Sequence, residues 1–315
     1  MNVLVTGANG FVGSALCARL RRDGVFVRGA VRSLSSQPDD VDTVAIGSLS
    51  LNSDWTVALK TVEQVVHLAA RVHVMNDKSP DPLAEFRRVN VEGTAAIARQ
   101  AAAEGVKRFV FLSSVKVNGE FTEVGQPFIA NDVPAPEDPY GVSKHEAEQL
   151  LRQIAAETGM EVVIIRPPLV YGPGVKANFE SMMRLLASGV PLPLAAVTQN
   201  RRSLVALDNL VDLIVSCLHH PAAANQTFLV SDGEDISTAG LLKRMGAAMG
   251  KPVRLFYVTP ALLKLGASLL NRPSIYQRLC CSLRLDIAKT RQLLGWIPPV
   301  SLDEGLRRAA EGFRP

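Results

Sequence analysis

Val3-Leu4-Val5-Thr6-Gly7-Ala8-Asn9-Gly10-Phe11-Val12-Gly13 is the stretch whose reading decides the fold. The aliphatic run Val3 to Val5 predicts a buried strand. Glycines at 7, 10 and 13 let the backbone turn sharply and approach a bound group closely. An apolar-periodic run from Phe11 to Arg22, closed by Asp23-Gly24, predicts a helix. In that order the unpaired N–H groups and the positive end of the helix dipole fall where a pyrophosphate would sit. Gly7, Asn9, Gly10, Phe11, Val12 and Gly13 are therefore the expected dinucleotide cradle of a doubly wound parallel α/β fold.

Working outward, the second strand, Val25 to Val31, runs into Arg32-Ser33. NAD sites usually place a carboxylate here for the ribose hydroxyls, whereas a 2′-phosphate needs a cation. No Asp or Glu is present, and Arg32 with Ser33 can hold a phosphate by charge-assisted bonds. The strand end thus favours NADP(H), with NAD(H) as the alternative. Val44 to Ile46 reads as a short strand and Trp55 to Lys60 as an exposed helical piece. Val65 to Ala70 reads as a buried strand whose last residues, Leu68, Ala69 and Ala70, leave room for a ligand. His67 within it is expected to be a packed core histidine, because no partners at metal spacing accompany it; no metal site is expected. His73 lies past the strand end, where substrate contact stays open.

The composition restricts the function classes. A chain of 315 residues, 47% hydrophobic, can bury a large core, either as one domain or as a domain with a smaller partner. The net charge of +4 comes without lysine or arginine runs, which argues against nucleic-acid binding. No apolar run reaches the roughly 20 residues of a membrane span. The chain also enters its first strand without a charged leader, so a cytoplasmic protein is expected. Cys17, Cys217, Cys280 and Cys281 lack metal or redox spacing and read as reduced, mostly buried thiols.

The chemistry gathers further along. A helix from Phe86 to Glu104 holds Asn90; a strand from Arg108 ends in Ser113-Ser114; a helix opening at Pro139 carries Tyr140 and Lys144 one turn apart, on one face. A free tyrosine ionises near pH ~10. A neighbouring ammonium, together with the positive nicotinamide ring of an oxidised cofactor nearby, is expected to favour its phenolate. Tyr140 then exchanges a proton with a substrate oxygen while hydride moves, and Ser114 holds that oxygen by a hydrogen bond.

With these residues in place, the chain resembles an extended short-chain dehydrogenase/reductase of the NAD-dependent epimerase/dehydratase family. The likeness rests on Gly7-x-x-Gly10-x-x-Gly13, His67-Leu68-Ala69-Ala70, Asn90 with Gly93-Thr94, Ser113-Ser114, Tyr140-x-x-x-Lys144, Arg166-Pro167-Pro168 with Tyr171-Gly172-Pro173, and Leu294-Gly295-Trp296. It implies a Rossmann domain over 1–170 plus about 203–231. A smaller, helix-rich substrate domain is implied over about 171–202 and 232–315. It also implies catalytic roles for Ser114, Tyr140, Lys144 and Asn90. Leu68 to Ala70, Pro167 and Lys144 are implied to contact the cofactor, Asn178 and Arg202 to grip a substrate diphosphate beside Ser114 and Tyr140, and a homodimer to form.

Departures from the family pattern narrow the substrate. Leu169 stands where several epimerases have asparagine, Asn118 where tyrosine is common, Lys116 where a small hydroxyl residue is common, and Ser48 where an aspartate is. No Asp-Glu or Glu-Lys pair follows Ser114, so dehydration is not expected. The Arg32 corner favours an NADPH-dependent reductase of a UDP-4-keto-6-deoxyhexose serving surface-glycan precursors. The alternative is a UDP-hexose 4-epimerase with bound NAD. A reductase of small hydrophobic ketones and a non-catalytic NADP(H) sensor stand behind these two. Leucines from Thr259 to Leu270 suggest a buried helix or a subunit contact rather than a membrane contact.

Overall fold

The structure is a computed structural model that describes residues 1–34, 41–72 and 79–313; His73 lies outside them. In chain order, β1 (Asn2–Thr6), α1 (Phe11–Arg22), β2 (Phe26–Val31), β3 (Asp42–Ala45), α2 (Thr56–Leu59) and β4 (Gln64–His67) make the first half of a parallel sheet. Next come α3 (Pro82–Arg87), a π-helical turn (Arg88–Glu92), α4 (Gly93–Ala103), β5 (Arg108–Leu112), α5 (Pro139–Thr158) and β6 (Glu161–Arg166). Then β7 (Leu169–Tyr171), α6 (Ala177–Ala187), β8 (Arg202–Ala206), α7 (Leu207–His219), β9 (Thr227–Leu229) and β10 (Asp235–Ile236) follow. The chain closes with α8 (Thr238–Ala248), α9 (Pro260–Leu269), α10 (Pro273–Cys280), α11 (Ala288–Leu294) and α12 (Leu302–Glu311).

Seven parallel strands run in the order β3-β2-β1-β4-β5-β6-β9, reversing direction of growth between β1 and β4. Ligands bind at such a reversal, beyond the carboxyl ends of the strands. Both faces of the sheet are buried: Val3, Val5, Val66, Val110 and Val163 pack on the α1–α7 side, and Leu4, Val65, Phe109 and Ile164 on the α4–α5 side. That two-sided burial explains near-continuous aliphatic strands without alternation.

β8 pairs with β7 and β10 in a separate three-stranded sheet, whereas α7 and β9 return to the main body. Val205 of β8 nevertheless packs into the core of the main sheet. The third core, under this small sheet, joins Tyr171, Phe179, Met183, Leu241 and Leu306.

Three local expectations are corrected. Trp55 is 1% exposed and caps a core wall with Ala58 and Leu59, so that segment is not a surface helix. The helix around Asn90 is interrupted by the π turn, which inserts one residue into the ladder. Helix α9 has no buried residue at all, so it is not a buried helix.

Candidate active site

The glycine turn follows from steric limits. Gly7 has φ +65°, and a Cβ there would sit 3.1 Å from the backbone nitrogen of Ala69. At Gly13 a Cβ would lie 2.1 Å from the carbonyl oxygen of Gly7, inside any permitted contact, so only glycine lets α1 start against the turn. No side chain caps the start of α1 and no acid occupies its first turn. The helix therefore offers open N–H groups to an anion. Asn9 and Gly10 are exposed at the turn, with Phe11 and Val12 half-buried behind them. These residues fit a dinucleotide pyrophosphate.

Beyond β4, Leu68 and Ala69 donate their N–H groups to Thr6 Oγ1, each at 3.1 Å, which fastens this loop to the end of β1. His67 is wholly buried and bridges Thr6 Oγ1 (2.8 Å) and Thr94 Oγ1 (3.0 Å), stacked on Phe111. Burial, helped by the charge of Lys144, pushes its pKa down to about 3, so it stays neutral as the core residue expected.

Two strands away, Ser114 follows β5 and accepts the Lys116 N–H at 3.2 Å. The start of α5 lies directly on this turn: a Cβ on Gly141 would be 2.9 Å from the carbonyl oxygen of Lys116. The proline-containing loop is laced to the same turn through Ala135 N–H to the Val117 carbonyl. Asp138 caps α5 by accepting the Gly141 N–H at 2.7 Å. Tyr140, at the start of the helix that packs on the turn following Ser114, is half-buried with Phe86 against its ring. One turn on, Lys144 donates to the Leu112 carbonyl at 2.8 Å and lies 4.3 Å from the Phe111 ring centre. The sheet order β1-β4-β5 puts the end of β5, which Lys144 touches, two strands from the glycine turn that follows β1.

The electrostatics of the protein groups alone keep the phenol protonated. Burial raises the Tyr140 pKa well above its ordinary value, and the neighbouring Asp138 carboxylate raises it further. Burial brings the Lys144 ammonium down to about 7, with Glu148 pulling the other way. Lys144 donates to the Leu112 carbonyl, and the shift of the phenol comes from burial and Asp138. Tyr140 in this structure is a proton donor in waiting, and the phenolate requires added positive charge at the site.

Asn90 is fully used by the protein: its Oδ1 accepts the Arg71 N–H at 2.8 Å, and its Nδ2 donates to the Arg71 carbonyl and to Ser143 Oγ, each at 3.0 Å. Ser143 in turn donates to the Tyr140 carbonyl at 2.8 Å. These bonds tie the Arg71 backbone to the start of α5, so Asn90 positions the helix that carries Tyr140.

A supporting network was missed from sequence. Ser113 Oγ donates to Glu148 Oε1 (2.6 Å), and Arg166 grips the same carboxylate from Nε (2.8 Å) and Nη2 (2.6 Å) while donating to Asn118 Oδ1 (3.0 Å). All four are buried. The signal was a glutamate four residues after Lys144, on the same helical face. Lys116 is also accounted for: it pairs with Glu120 at 2.8 Å and Asp138 at 2.5 Å. Burial pulls its pKa down, but these two carboxylates outweigh burial and the net shift is upward.

Pro167, after β6, is buried and accepts the Val115 N–H at 3.0 Å, so it braces the serine turn. Arg32 and Ser33 lie exposed just past β2. On the substrate side, Asn178 is exposed in the first turn of α6 and does not cap it; the capping position is Lys176. Ala177 before it takes φ +59°, a strained value for a residue with a Cβ. Arg202 is half-buried, donates to the Cys281 carbonyl at 3.1 Å, and has its pKa lowered by burial. Cys17 and Cys217 are buried and Cys280 and Cys281 half-buried, all four free. Among the described residues no cluster of His, Cys, Asp or Glu could hold a metal ion.

A glycine-turn Rossmann sheet with Ser114, Tyr140 and Lys144 at the carboxyl ends of its strands defines a nicotinamide-dependent enzyme of the short-chain dehydrogenase/reductase type. The model of the NAD dependent epimerase/dehydratase family matches residues 3–231, and the chain belongs to that family. UDP-glucose 4-epimerase of Vibrio cholerae is 49% identical over 313 residues, covering 99% of this chain and 95% of that protein. UDP-glucose 4-epimerase of Mycolicibacterium smegmatis is 31% identical, covering 100% and 99%. Among solved structures, MoeE5 in complex with UDP-glucuronic acid and NAD is 27% identical, with a TM-score of 0.79 over 99% of this chain and 98% of that one. These relatives correct the lean toward an NADPH-dependent reductase: they support the epimerase alternative and NAD.

Proposed function

We propose that this enzyme is a UDP-hexose 4-epimerase that retains NAD through each turnover, and that it works as a cytoplasmic homodimer. The observation that carries the reading is the full-length likeness, at 49% identity, to a UDP-glucose 4-epimerase. The Ser114, Tyr140 and Lys144 arrangement suits that chemistry. Bound NAD supplies a hydride acceptor at the sugar C4 and later the hydride donor. The glycine turn and the open start of α1 would hold its pyrophosphate, and Lys144 its nicotinamide-side ribose.

The protein's own groups handle the proton. Tyr140 takes the C4 hydroxyl proton and returns it to the same oxygen after the ring has turned over, so the cycle is neutral in protons. The raised phenol pKa favours the second half, where Tyr140 must be an acid. Removing the proton in the first half needs the positive charge of the oxidised ring, which lowers the phenol pKa. Ser114 Oγ hydrogen-bonds the oxygen as charge develops. Asn178 and Arg202 are assigned to the diphosphate, which a guanidinium suits.

The test is interconversion of UDP-glucose and UDP-galactose by the purified protein without added cofactor. Net NADPH oxidation with a 4-keto sugar, and no interconversion, would overturn the reading.

A further inference from the structure

From Met245 to Leu283 the chain contains no aspartate or glutamate, while Lys251, Arg254, Lys264, Arg272 and Arg278 are all present and exposed. The same segment carries a cluster of exposed large apolar side chains. Leu262, Leu265 and Leu269 fall on one face of α9 and are 58%, 56% and 79% exposed; Leu270 and Tyr257 beside them are 74% and 73% exposed. Helices α9 and α10 pack on each other, and neither contains a buried residue. A contiguous leucine face left in water is an unfavourable arrangement for a solitary protein and marks a contact.

We propose that this face docks on an anionic lipid bilayer. Helix α9 is 10 residues long, about 15 Å, so it lies in the interfacial plane and does not span. Its leucines enter the acyl boundary, the phenol of Tyr257 sits at headgroup level, and the five cations meet lipid phosphates. Charge selects this occupant over a second copy of the chain. A two-fold contact sets the same patch against itself, which would bring ten cations together with no carboxylate of the segment to offset them.

The test is flotation of the full-length protein with vesicles of phosphatidylcholine containing phosphatidylglycerol, against vesicles of phosphatidylcholine alone. Binding is expected to the anionic vesicles, to weaken with added salt, and to be at least tenfold poorer to the neutral ones. The double variant Leu265→Glu/Leu269→Glu is expected to lose flotation while keeping its circular dichroism and its activity on soluble substrate. Failure of the native protein to float with the anionic vesicles, or flotation unchanged in the double variant, would overturn the proposal. So would a native dimer that this variant splits without any flotation, because it would give the face to a second copy.

Discussion

Helices α5 and α9 invert the usual relation between polarity and depth. Helix α5 buries Ser143, Lys144 and Glu148 among its contacts, whereas the leucines of α9 stay in water. The difference lies in partners. Each buried polar group of α5 has a matched acceptor or donor: the Leu112 carbonyl for Lys144, Arg166 and Ser113 for Glu148, Asn90 for Ser143. A buried charge is tolerated only under such pairing. Helix α9 rests on the chain through Leu263 and α10, and its Leu262, Leu265 and Leu269 stay exposed. The first pattern is what a fixed reaction centre requires, and the second is what an interaction surface requires.

The comparison breaks most visibly at Tyr140. Tyr140→Phe should lower epimerase turnover about 10²–10⁴-fold, with NAD affinity retained in fluorescence titration; comparable turnover would remove the proton-transfer role of α5. Next in size, Glu148→Ala should destabilise the fold by about 3–5 kcal/mol, because Arg166 is left buried without its counter-charge. Urea unfolding measures this, and a change under about 1 kcal/mol would mean that the pair is replaced by water.

Lys144 supplies a pH-dependent probe. Its folded pKa is about 7, against about 10.4 unfolded. The folded protein therefore binds fewer protons between those values, and its stability rises with pH across that window. Lys144→Met lacks this dependence. Its melting temperature relative to wild type should be highest below about pH 7 and fall toward about pH 10, as scanning fluorimetry would record. A gap independent of pH would mean that Lys144 stays charged in the fold. Smallest of all, Leu262→Glu in α9 should change stability by less than about 0.5 kcal/mol; a loss above about 2 kcal/mol would reveal unrecognised burial of that face.

Much of the reaction centre was legible because local rules fix it. The spacing of Gly7, Gly10 and Gly13 follows from backbone clearance, and Tyr140 with Lys144 follows from helical period. Long-range pairing was less legible. Nothing local to Trp55 says that α4 will cover it, and nothing local to Asn90 says that its three bonds will close on Arg71 and Ser143. The phenol pKa depends on depth and on Asp138, neither of which a Tyr-x-x-x-Lys pattern contains. The placement of β8 outside the main sheet depends on its pairing with β7 and β10.

The 2.1 Å separation that a methyl group at Gly13 would leave from the Gly7 oxygen has a practical side. It closes the phosphate turn to redesign, since any larger residue there dislodges the helix along with the cofactor. Attempts to retune this enzyme between the two nicotinamide dinucleotides are better aimed at the exposed Arg32-Ser33 corner than at that turn.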